Sequence, residues 1–154
     1  MQINNKNQLP TNNKVSADAN KNKDALFYYL RGIKAYDSGN KEDAEKDFNQ
    51  ALEVEKDNAI AYFNRGTFYY NEKKYKNAID DFMKASKLRM GFAEAYYNLA
   101  CSYIQILSFR EGLSMLKKAV KHDRNMVDRA MKDPDFENVN RMKEFKDIMM
   151  EATI

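Results

Sequence analysis

The stretch Ala59–Met90, AIAYFNRGTFYYNEKKYKNAIDDFMKASKLRM, is one copy of a unit that recurs one repeat earlier and one later. Gly32, Gly66 and Ala100 stand thirty-four residues apart, as do Ala44, Ala78 and Gly112, and Tyr28, Tyr62 and Tyr96. Phe48, Phe82 and Leu116 make a fourth column, and Ala51, Ala85 and Ala119 a fifth. Five columns in one register mark a repeat whose units bury their apolar faces by stacking on one another.

Working outward, the 154 residues fit one domain, and a 44% hydrophobic content can build a core where the spacing is right. Five Gly and two Pro among many Lys, Glu, Ala, Met and Leu favour helices, so the expected class is all-α. The net charge of +3 is mild and interspersed, too weak by itself to signal nucleic-acid binding, which is kept only as a lesser alternative through the lysines. The denser runs Lys73, Lys74, Lys76 and Lys117, Lys118, Lys121 read as solvated outer faces. A single Cys101 excludes an internal disulfide and suits a reducing compartment. No apolar run approaches the ~20 residues of a membrane span, and the first residues carry no apolar signal core. The expectation is a cytoplasmic protein with no membrane contact.

Residues 1–23, rich in Asn and Lys and holding Pro10, are expected to form a disordered arm. Repeats are then expected at about 25–58, 59–92 and 93–126, within a repeat region of 24–124. In the first, Asp24 starts a helix, Ser38-Gly39 ends it, and Asn40 caps a second helix running to about Val54. The other two copy this plan with turns at Glu72–Lys74 and Leu107-Ser108. From 125 to 154 the register stops. Pro134 interrupts the helix begun at Val127 and Ala130, Asp133 caps a new start, and Phe136, Val139, Met142, Phe145, Ile148 and Met149 form a face that covers the end of the third repeat. The late methionines read as gap-fillers there.

The pattern Tyr62-x-x-Arg65-Gly66-x-x-Tyr69, followed by Ala78, Phe82 and Ala85, resembles the tetratricopeptide repeat, and Asp133–Phe136 with Glu144-Phe145 resembles the capping tail of many bacterial members. The resemblance implies seven or eight helices in a right-handed α-solenoid of three helix-turn-helix units with C-terminal capping helices. Two columns depart from the family. Lys56, Met90 and Arg124 replace its usual Pro, which suggests looser repeat boundaries, and Arg31 and Arg65 replace its frequent Leu, which reads as a changed surface.

The resemblance also implies a concave groove lined by the first helix of each repeat. The residues expected to contact a ligand are Tyr29, Ile33, Phe63, Asn64, Thr67, Tyr70, Tyr97, Asn98 and Cys101, with Gln105 at a further groove place. Such an apolar and aromatic groove suits a peptide segment of a partner protein. Recognition of an acidic chaperone tail is disfavoured, because Tyr29, Ile60, Phe63 and Glu94 stand where cations would be needed. Self-association into a dimer is the alternative. No catalytic, metal or cofactor set emerges. His122 lies in a charged linker without a nucleophile, and Cys101 reads as a small packing residue with modest room for redox chemistry.

Overall fold

A computed structural model of the protein describes residues 12–151, with side chains from residue 23 onward. Eight α-helices and one 3-10 turn occur among the described residues: α1 (Asn12–Asp37), α2 (Lys41–Val54), α3 (Ala59–Asn71), α4 (Tyr75–Leu88), α5 (Ala93–Gln105), α6 (Phe109–His122), α7 (Asn125–Lys132), the turn Pro134–Phe136, and α8 (Lys143–Glu151). The described elements are all helical, and α1–α2, α3–α4 and α5–α6 pack as antiparallel hairpins. No described helix is long and apolar enough to cross a membrane.

The hairpin turns repeat a backbone device. Gly39, Lys73 and Leu107, thirty-four residues apart, all have positive φ, at 80°, 59° and 63°. Each lets the next residue's N–H reach five residues back: Asn40 to Ala35, Lys74 to Tyr69, Ser108 to Tyr103. This is a Schellman ending, which satisfies carbonyls that the terminating helix leaves open. On the far side Asn40 accepts from the Asp43 N–H and opens α2, as expected, and Asn58 accepts from the Ala61 N–H and opens α3.

Within each hairpin the small columns permit close approach. A Cβ on Gly66 would lie 2.9 Å from the Phe82 ring, and one on Gly32 2.9 Å from that of Phe48. Beside them the first two repeats carry an ion pair that the sequence reading missed. Arg31 grips Asp47 through Nε and Nη2, and Arg65 grips Asp81 at 2.7 and 2.6 Å. Arg65 therefore is not a surface variation. Its partner Asp81 is 4% exposed, and burial pushes the Asp81 carboxyl above its ordinary range despite the pull of Arg65.

The chain divides into two compact units at the Lys56–Asp57 boundary. In the first, α1 and α2 enclose Ala25, Ala44, Phe48, Ala51 and Leu52. Helix α1 begins at Asn12, so it runs back into the stretch expected to be a disordered arm, while residues 1–11 of that arm lie outside the described residues. Helix extension adds one hydrogen bond per residue fixed, and 12–24 holds no Gly or Pro to stop a helix already packed from Ala25. In the second unit one cluster joins Tyr97, Cys101, Ile104, Leu116 and Val120 to Met126, Val127, Phe136, Val139, Phe145 and Met149. Met115 and Met142 fill its edge as expected, whereas Met131 and Met150 are exposed.

Candidate functional site

The face of the second unit where α3 meets α5 is built from the amide and hydroxyl places of the two helices. Thr67, Tyr70 and Asn71 from α3 and Asn98 and Cys101 from α5 surround a recess of about 190 Å³, closed by Arg129 of α7 and by Asp133 and Asp135. Four of the nine expected contact residues, Thr67, Tyr70, Asn98 and Cys101, thus meet around one recess. Asn64 is half-buried one turn before Thr67, whose hydroxyl is turned back to the Phe63 carbonyl.

The other expected contacts do not line the recess. Phe63 is wedged between Phe82 and Phe92, with ring centroids 5.7 and 4.9 Å away, and so helps to join α3, α4 and α5. Tyr97 is fully buried. Tyr29 and Ile33 belong to the first unit, where both are half-buried and the Tyr29 ring meets Phe48.

The tail does more than cover the third hairpin. Helix α8 packs on α6, as expected of a cap, but the 3-10 turn lies on α5. The Tyr70 hydroxyl donates to Asp135 Oδ2 at 2.5 Å, the Gln105 amide to Asp135 Oδ1 at 2.8 Å, and the Tyr97 hydroxyl to Asp133 Oδ2 at 2.7 Å. Asp133 Oδ1 accepts from the Asp135 N–H and so caps the turn. The Phe136 ring meets Tyr97 edge-on at 5.5 Å, and the Arg129 guanidinium lies 4.0 Å from the Tyr97 centroid. Pro134 fixes φ in the first turn and cannot donate. The α3–α5 face therefore already holds a stretch of polypeptide, Asp133 to Phe136.

Burial raises the Tyr70 and Tyr97 hydroxyls far above the phenol range, and their hydrogen bonds to Asp135 and Asp133 add to it, so both act as donors. Burial also pushes the Cys101 thiol up, with the Asp135 and Asp133 charges next in weight. A thiol so held keeps its proton and makes a poor nucleophile or redox centre. One ligand atom each from Cys101, Asp133 and Asp135 lies within 4.8 Å of the others. Both carboxylates already accept hydrogen bonds through both oxygens, and the thiol would have to ionise beside them, so the donor set suits a metal ion poorly. His122 stacks on Tyr96 at the end of α6, away from this recess.

Hairpins repeating every thirty-four residues, with chain held on the first-helix face, define a helical-repeat scaffold. The chain belongs to the tetratricopeptide repeat family, whose profiles match residues 29–91 and 93–126. No curated protein sequence matches significantly. Among solved structures the fold is similar to MamA, at TM-score 0.71 and 19% identity, covering 91% of this chain and 82% of that one. It is also similar to the N-terminal domain of stress-induced protein-1 from C. elegans, at 0.66 and 17%, covering 87% and 98%. The first repeat domain of Spaghetti (RPAP3), bound to the HSP90 peptide SRMEEVD, matches at 0.64 and 16%, covering 86% and 96%.

Proposed function

We propose that the protein is a non-enzymatic interaction module that holds a peptide segment of a partner protein on the α3–α5 face. The observation that carries this reading is that the face already holds Asp133–Phe136 through tyrosine hydroxyls, a glutamine amide and an aromatic contact. Next to it Asn71 is exposed and Asn64, Thr67 and Asn98 are half-buried, a row of neutral groups suited to a peptide backbone. Neutral donors fit backbone carbonyls and singly held carboxylates, whereas the exposed Glu94 would repel the clustered charge of an acidic tail.

The test is selection from a random peptide library on the full chain, with each selected peptide measured again on an Asn71→Ala, Asn98→Ala variant. Affinity should fall about tenfold or more, the size of one or two lost interface anchors. Unchanged affinity would move the site off this face. Self-association is the second reading, favoured by Leu26, Phe27 and Leu30 on α1, which are 55%, 57% and 55% exposed. Sedimentation of the full chain across concentration separates the two.

A further inference from the structure

We infer that Asp133–Phe136 is an exchangeable, built-in ligand of the α3–α5 face, so that a partner binds there by displacing it; this rests on reading that face as a peptide site. The segment occupies places that a ligand would use. Asp135 alone takes two neutral donors of the groove, Tyr70 and Gln105, and Asp133 takes a third, Tyr97. Phe136, 1% exposed, fills the space beside Tyr97 and supplies the apolar anchor. The segment is short, three residues of 3-10 turn, and its Asp133, Pro134 and Asp135 all keep some exposure.

A partner segment of the same chemistry, an acidic turn followed by an aromatic residue, would remake every one of these contacts. The displaced carboxylates would pass to water and the hydroxyl and amide donors to the newcomer, so the hydrogen-bond count is conserved. What opposes exchange is tethering. A segment joined to its own site acts at an effective concentration on the order of millimolar, and a ligand in trans is weakened by the fraction of molecules whose site is open. The partner class this selects carries an Asp-x-Asp-Phe-like stretch.

The probe is a labelled peptide of the chain's own sequence Lys132–Arg141, KDPDFENVNR, titrated into the full chain and into an Asp135→Ala, Phe136→Ala variant. It should bind the variant at least about tenfold more tightly than the wild type, and the peptide KDPAFENVNR should not bind. Equal affinity for both proteins overturns the inference, as does no binding to a variant whose α5 and α6 amides remain protected. Should that variant unfold, hydrogen exchange on the wild type decides. Excess KDPDFENVNR should speed exchange across residues 133–139, and no change overturns the inference. Library peptides that need Asn71 and Asn98 while KDPDFENVNR fails would sink this inference and leave the proposed function standing.

Discussion

The α3–α4 and α5–α6 hairpins share one register and solve the same packing problem with different residues. In α3–α4 the contact is Gly66 under the Phe82 ring, flanked by the Arg65–Asp81 pair. In α5–α6 the same columns hold Ala100, Leu116, Leu99 and Met115, and the glycine moves across to Gly112, where a Cβ would meet Ile104 at 2.7 Å. The ionic pair and the aromatic disappear together. The columns vary as sets, because a guanidinium needs its carboxylate and a large ring needs a glycine beneath it.

The largest effect expected from breaking this pattern is Arg65→Leu alone. It leaves the Asp81 carboxylate buried without its cation and should cost about 3–5 kcal/mol in urea unfolding. Importing the Leu99 and Met115 pair of α5–α6 with Arg65→Leu plus Asp81→Met should recover most of that loss, since a buried ion pair is replaceable by apolar groups. A double variant as unstable as the single would show that the two columns are not a set. Next in size, Gly66→Ala should cost about 1–3 kcal/mol, because the Phe82 ring must shift.

A smaller effect has the opposite sign. Leu107 sits at φ 63° and is 69% exposed, where Gly39 serves in the first hairpin, so Leu107→Gly should stabilise by up to about 1 kcal/mol. The smallest is a pH dependence. The folded-state pKa of Asp81 lies above its ordinary 3.8, so between those values the folded chain holds the proton more readily than the unfolded one. Wild-type stability from this group falls as pH rises through that window and is level above it. Relative to wild type, the double variant Arg65→Leu, Asp81→Met should gain stability over that window only, read as midpoint differences in parallel urea titrations.

The hairpins were legible because each small or aromatic landmark recurs at a fixed distance, and the helix ends followed from Asn40 and the turn residues. The ion pairs were not, since Arg65 and Asp81 lie on opposite helices sixteen residues apart and only the folded hairpin joins them. The candidate face was half legible. Thr67, Tyr70, Asn98 and Cys101 were reached through family places, but Asp133 and Asp135 stand outside the thirty-four-residue register. The contact between Tyr70 and Asp135 spans sixty-five residues, a distance at which no local pattern operates. Phe63 and Tyr97 share the aromatic character of groove residues, and their burial depends on Phe92 and Phe136, which lie outside the repeat columns.

The most direct measurement is amide hydrogen exchange of the full chain with and without a library-selected peptide. Protection should rise in residues 60–71 and 94–105 of α3 and α5. Protection confined to 75–88 and 109–122 of α4 and α6 would place the ligand on the opposite helices and contradict the α3–α5 face as the binding site.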